Sequence, residues 1–323
     1  TTQRHMEYFH EDVCAPQVRT GRPLYTRTFT RIGNGESTIL CPFSLVFLHG
    51  ACASSSSFMP LVEYILQCTG APMLEKDTNP SAMLMSCHLF DAFGCGRSRS
   101  GALRWENFSA GELQADAEEF LRGAIRSGSS ERREEKIVIV AHSFGTSQCV
   151  RILENLSDEE RSAVGGVVLI GGNIDENFPA IFYLPTFVLR GLQPRLTSLF
   201  LSAAYQKKFL EEKPDRNQAA AKACNDNPMF FVKAFYMQNC WVRGREVADA
   251  FGRRGSLPVL VLHGADDGIV PVLAGGRLAD AIRKENGCST VKFIEINDGS
   301  HQVFEEKPKE VGDLILDFVS SFV

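Results

Sequence analysis

The stretch IVIVAHSFGTSQCV, residues 137–150, decides the fold. Its first five residues are apolar without alternation, which suits a strand covered on both faces, as in a parallel sheet flanked by helices. The run passes straight into Ala141-His142-Ser143-Phe144-Gly145 and then into a helix-compatible segment. A serine between small residues at a strand-to-helix turn is a nucleophile elbow. The turn is so tight that the residues two before and two after the serine must be small, and here they are Ala141 and Gly145. Such a turn raises Ser143 Oγ above the sheet, beside a helix N-terminus whose free N–H groups favour a developing anion. The first small position is more often Gly, and a buried serine capping a helix would show a similar pattern. The rest of the chain has to decide.

Outward from this strand, short apolar runs recur at 25–32, 44–48, 84–90, 166–170, 258–262 and 291–296. Helical patterns lie between them, at 111–127 and 306–322. In the first, Leu113, Ala117, Phe120, Leu121 and Ala124 form one stripe. Strand–helix alternation predicts an α/β fold with a mostly parallel, doubly wound sheet. Segment 128–136 (GSSERREEK) reads as a charged surface connection, a solvated loop or helix end. Segment 173–256 is far longer than one crossover and rich in Phe, with Pro breaks at 179, 185, 194, 214 and 228. A structureless loop of that length is improbable, so an inserted helical cap is expected. The expected organisation is an extension over 1–24, a core formed by 25–172 and 257–323, and a cap over 173–256.

Two further strand ends carry chemistry. The strand at 258–262 leads into His263-Gly264-Ala265-Asp266-Asp267-Gly268-Ile269-Val270-Pro271, and that at 291–296 into Asn297-Asp298-Gly299-Ser300-His301. An acid in the first loop can orient a histidine base in the second. Serine, acid and histidine then stand in order at three strand ends, the edge where open α/β sheets bind ligands. An imidazole base implies loss of activity on acidification. Upstream, LVFLHGAC (45–52) ends a strand in His-Gly. Backbone N–H groups of Ala51, with Cys52 as the alternative, and Phe144 are expected to form an oxyanion hole. His49, His142 and His263 read as structural hydrogen-bonders. The glycines of DAFGCGRS (91–98) permit a tight loop beside the site.

Composition narrows the classes. The 323 residues are 44% hydrophobic and 23% charged, with a net charge of −5. That argues against a nucleic-acid partner. No run approaches eighteen apolar residues, and TTQRHMEYFH at the start has no secretory apolar region, so a cytoplasmic location is expected. Ten cysteines without a C-x-x-C pair read as reduced thiols, not as a metal site or disulfide scaffold. No metal or organic cofactor is called for.

Taken together, LHGA, DAFGCGRS, AHSFG, HGADDGIVP and DGSHQVFEEKP resemble the α/β-hydrolase superfamily over about residues 25–172 and 257–323. The GGN after the strand at 166–170 and the Leu184-Pro185 pair look most like the eukaryotic α/β-hydrolase-domain-containing proteins with a helical lid, the member-eight subgroup nearest. The resemblance implies a Ser143–Asp267–His301 triad. Asp267, not Asp266, matches the family spacing from Gly264 to Pro271. Serine at the elbow argues against the dehalogenase and epoxide-hydrolase relatives, which use aspartate. Acyltransferase relatives carry a His-x-x-x-x-Asp motif that here ends in Glu306, so transfer to lysophospholipid is not expected. What the resemblance implies is hydrolysis of acyl or lipid-like esters through an acyl-enzyme. Alternatives are a thioesterase or peptidase with the same triad, or a binding module on a hydrolase fold. Phe182, Phe187 and Phe231 of the cap are expected to line the acyl site. Residues 181–209, with Arg190, Arg195, Lys207, Lys208 and no acid, also suit peripheral contact with an anionic membrane; the alternative is a packed helix pair with solvated cations.

Overall fold

The computed structural model describes residues 9–14, 22, 24–31, 40–68, 84–99, 103–131, 136–253, 257–286 and 290–321. The strands are β1 (Phe9–Cys14), β2 (Thr26–Arg31), β3 (Leu40–Leu48), β4 (Leu84–Phe90), β5 (Lys136–His142), β6 (Val164–Ile170), β7 (Val259–Gly264) and β8 (Val291–Ile296). They form one sheet in the order β1-β2-β4-β3-β5-β6-β7-β8. The β1–β2 and β2–β4 pairs are antiparallel, and the pairs from β4 through β8 are parallel.

The apolar runs lack alternation because both faces of the sheet are covered. Ile137, Ile139 and Ala141 of β5 face one core cluster, Val138 and Val140 the other. Val167 and Leu169 of β6 divide in the same way from Val168 and Ile170. On the first face lie α2 (Ala110–Glu131) and α3 (Phe144–Asn155), and after β7 α10 (Val272–Asn286). All five residues of the predicted stripe on α2 are buried there. On the second face lie α1 (Met59–Cys68), α11 (Val303–Glu306) and α12 (Pro308–Ser320). A short α4 (Asp158–Ser162) leads into β6, capped by Ser157, whose hydroxyl accepts from Glu160 N.

Two segments differ from the sequence reading. Within the extension expected over 1–24, the described residues join the core: Phe9–Cys14 pairs with β2 at the sheet edge, and Arg22 and Leu24 are buried. The charged hexapeptide FHEDVC has little of the apolar enrichment that marks a strand. The insertion between β6 and β7 holds α5 (Thr186–Ala204), α6 (Lys207–Glu212), α7 (Pro214–Asp226), α8 (Met229–Gln238) and α9 (Gly244–Phe251). Its last helix is part of the layer on the sheet: α9 packs against α3 and α10, and Val247, Ala250 and Phe251 sit in the first core cluster. The charged segment after 127 is, as far as Glu131, the end of helix α2, one of the two forms expected for it.

Arg22 anchors the N-terminal region. Its Nε donates to both carboxylate oxygens of the fully buried Asp116, at 2.9 and 3.0 Å, and the guanidinium lies 4.1 Å from the Phe93 ring centroid. Removing one partner of a buried pair strands the other charge, at a cost of about 3–5 kcal/mol. Asp116→Ala is therefore expected to destabilise the fold by about that much in urea denaturation, with an unchanged m-value. A loss below about 1 kcal/mol would mean that solvent reaches Arg22.

Candidate active site

The elbow is built by the strand it terminates. Ser143 follows β5, at the N-cap of α3, with φ 52° and ψ −124°, a left-handed φ that non-glycine residues seldom adopt. Such a conformation costs on the order of 1–3 kcal/mol and persists only where neighbours hold it. Here Ser143 N donates to Ile170 O at 2.8 Å, and Ser143 O accepts from Thr146 N at 2.9 Å and Thr146 Oγ1 at 2.6 Å. Gly145 has no alternative: a Cβ there would lie 2.4 Å from Leu48 O. Ala141 is fully buried and in the core, so the methyl in place of the usual Gly is accommodated.

Three strand ends converge on Ser143. His301, in the loop between β8 and α11, places Nε2 3.0 Å from Ser143 Oγ and Nδ1 2.7 Å from Asp267 Oδ2. With the Nδ1 proton donated to Asp267, Nε2 is free to accept from the serine hydroxyl. Asp267 lies in the loop after β7, its side chain fully buried. Its Oδ1 accepts from Ile269 N and Val270 N, each at 2.8 Å. Burial alone would raise its carboxyl pKa. His301, the hydrogen bonds from His263 and His301, and the Val270 N–H outweigh burial and hold it well below the usual carboxylate range. Asp266 is exposed and accepts from Gln206 Nε2 at 2.9 Å. Such a chain of hydroxyl, imidazole and carboxylate can move the hydroxyl proton onto the imidazole as Oγ attacks an electrophile.

The other histidines hold the loops. His263 Nε2 donates to Val270 O at 2.9 Å and stands 3.2 Å from Asp267 Oδ2. His142 Nε2 donates to His301 O at 3.0 Å, and its ring lies 4.8 Å from that of His301. Burial and the neighbouring His301 push the His142 pKa well down, so it stays neutral. His49 Nδ1 donates to Gly50 O at 2.8 Å, while Nε2 accepts from Ala92 N at 2.9 Å, tying the turn after β3 to the turn after β4.

The predicted oxyanion residues flank the serine. A Cβ on Gly50 would lie 3.0 Å from Ser143 Cβ, so the turn carrying Ala51 is in contact with the elbow. Among the described residues Ala51 N has no hydrogen-bond acceptor, and Phe144 N opens α3, where no intrahelical acceptor exists. The Phe residues expected to line an acyl site are scattered. Phe182 stacks on Tyr236 at 4.1 Å, Phe187 is 78% exposed, and Phe231 is fully buried against Phe108. What lies beside the elbow is a cavity of about 10 Å³, room for at most one water, lined by Phe93, Leu113, Phe144 and Phe235. Phe231 differs because α8 packs into the main core, which a Phe-rich sequence does not distinguish from a pocket wall. Among the described residues no His, Cys, Asp or Glu cluster is placed to hold a metal ion.

The sequence reading missed the contacts of residues 203–206 with the segments that carry Asp267 and His301. Ala203 O accepts from Gly268 N at 3.1 Å and Ala204 O from Gln302 N at 3.0 Å. Glu306 accepts from Gln206 N at 2.5 Å and from Ser300 N at 2.7 Å. The sequence signal was the Glu305-Glu306 pair, four and five residues after His301. Glu305 accepts from Tyr205 OH at 3.1 Å. Burial raises the Glu305 pKa from 4.5 to about 7, with Tyr205 and Arg216 opposing and Glu306 adding to it. A raised carboxyl pKa means that the folded state holds a proton the unfolded chain has lost. Stability from this group therefore falls as pH rises from about 4.5 to 7. Glu305→Gln is expected to raise Tm at pH 8, by up to about 3 kcal/mol in stability, and to leave it unchanged near pH 4. Equal Tm values at pH 8 would show Glu305 to be well solvated.

Comparisons with known proteins agree with this geometry. The model of the alpha/beta hydrolase family matches residues 45–314. Human Protein ABHD8 is 30% identical over 187 residues, 56% of this chain and 39% of that protein, so the match spans well under half of the relative. A bromoperoxidase from Bacillus anthracis superposes with a TM-score of 0.65 at 14% identity, covering 96% of this chain and 100% of that one. A thermophilic esterase from Thermogutta terrifontis gives 0.63 at 16% identity, covering 97% and 98%. At those identities the two structures speak for the fold alone. With a family model over most of its length and the sheet order and strand-end residues described above, the chain belongs to the alpha/beta hydrolase family.

Proposed function

We propose that the protein is a serine hydrolase that cleaves carboxylic esters with apolar acyl groups. The observation that carries this reading is the hydrogen-bonded chain from Ser143 Oγ through His301 to the buried Asp267. His301 takes the Ser143 proton as Oγ attacks the ester carbonyl. Asp267 keeps the imidazole in the required tautomer and stabilises its charged form. The N–H groups of Ala51 and Phe144 receive the oxyanion, the alcohol leaves with the proton from His301, and water hydrolyses the acyl-enzyme by the reverse sequence.

One observation favours a second reading, a binding module that keeps the residues without turning over. The cavity beside the elbow, at about 10 Å³, is too small for an acyl chain. Catalysis on such an ester then requires space beyond this cavity at Ser143. Labelling by a fluorophosphonate probe separates the two: the hydrolase labels at Ser143 and a scaffold does not. A series of p-nitrophenyl esters tests the acyl preference. Two added buried CH₂ groups are worth about 1.6 kcal/mol, roughly fifteen-fold in kcat/KM. A steady fall from acetate upward would instead favour small esters.

A further inference from the structure

Helix α5 has two faces of different character. Leu189, Thr197, Leu201 and Ala204 are buried, Gln193 donates to the carbonyls of Asn225 and Asn227, and Thr197 Oγ1 donates to Asn225 Oδ1. That face is docked on the protein. At the same four-residue spacing on the other side stand Phe187, Gly191, Arg195 and Leu199, all exposed. Phe187 is 78% and Leu199 65% exposed, and Tyr183 (69%) and Leu184 lie in the turn just before the helix. Lys233 of α8 adds its ammonium beside this turn, donating to Leu184 O at 2.6 Å.

The charge on this ridge is one-sided. Arg190 and Arg195 are exposed, and neither makes a hydrogen bond or ion pair among the described residues. No Asp or Glu occurs from 177 to 210 or from 227 to 245, although the whole chain carries −5. Exposed rings and leucines beside unpaired guanidinium groups, without a carboxylate, match the chemistry of a lipid headgroup layer above acyl chains. Among the described residues no helix is long and apolar enough to cross a membrane, so the contact would be peripheral.

We propose that the outer ridge of α5, with Tyr183 and Leu184, docks on an anionic phospholipid bilayer. This deepens the ester-hydrolase reading and rests on it for its purpose. The C-terminal end of α5 bonds to the loops of Asp267 and His301, and Phe178, shortly before the helix, packs 5.9 Å from Phe144. Docking would bring the bilayer to the helix whose C-terminal end bonds to the loops of Asp267 and His301.

The test is flotation of the full chain with phosphatidylcholine vesicles, with and without phosphatidylserine, at about 0.1 M salt. Binding is expected to the phosphatidylserine vesicles and to weaken with added salt. Leu199→Glu should abolish it. Arg190→Gln with Arg195→Gln should weaken it roughly 30-fold, about fivefold for each cation. Leu273→Glu, at a position 74% exposed on α10, should bind as wild type. Circular dichroism checks that each variant folds. No binding by the wild type, or full binding by Leu199→Glu, overturns the proposal. So does a dimer in solution that Leu199→Glu splits, which would make the ridge an interface between copies. Fluorophosphonate labelling of Ser143 without vesicles is read separately: labelled protein that ignores vesicles sinks the docking surface and keeps the hydrolase. Vesicle binding without labelling sinks the hydrolase reading and keeps the surface.

Discussion

Ser143→Ala is expected to abolish ester hydrolysis while leaving the fold intact. The change removes only the hydroxyl oxygen that sits 3.0 Å from His301 Nε2. The backbone bonds that hold the strained elbow come from Ser143 N and O, which alanine keeps. Alanine at φ 52° carries no more strain than serine, so circular dichroism and Tm should stay close to wild type. Removing the nucleophile of a Ser-His-Asp system costs on the order of 10⁶-fold in kcat, with residual rate from the oxyanion hole and binding. Fluorophosphonate labelling should vanish in step. A variant that keeps more than about a tenth of wild-type kcat would place the nucleophile elsewhere.

The elbow was readable because three demands coincide in five residues. Both faces of β5 are buried, so its run is apolar throughout, and the clash of any side chain at 145 with Leu48 O forces glycine there. The acid and histidine candidates were readable because each follows a strand, the fully buried β7 or the half-exposed edge strand β8, at one end of the sheet. What stayed hidden was long-range. Nothing local in FHEDVC says that β2 offers it a partner, or that Arg22 will meet Asp116 across 94 positions. Periodicity separates buried from exposed faces, but not a pocket wall from core. Phe231, on Phe108, and Phe187, in solvent, look alike in sequence. The bonds from Ala203, Ala204 and Gln206 to the two loops are mostly backbone bonds, which leave no residue signature.

The choice between neighbouring acids gives the second large effect. Asp267→Asn should lower kcat by about four orders of magnitude, the cost of the wrong imidazole tautomer in serine proteases. Asn Oδ1 can still accept from Ile269 N and Val270 N, so the loop keeps its shape. The amide then faces His301 Nδ1 as a donor in place of Oδ2. Nδ1 must accept, the ring proton moves to Nε2, and Nε2 can no longer take the proton of Ser143. The same amide meets the N–H of His263 Nε2, now 3.2 Å from a carboxylate oxygen and already donating to Val270 O. That adds a donor–donor conflict with no relief inside a fully buried site. Asp266→Asn changes none of this. Its carboxylate is exposed and accepts one bond, from Gln206 Nε2, which the Asn carbonyl can also accept. It should stay within about twofold of wild type, as exposed polar substitutions usually do. Measured side by side on one ester, a pair of comparable losses would mean that both carboxylates act through a shared loop geometry. A larger loss at Asp266 would mean that His301 turns to the other acid when substrate is bound.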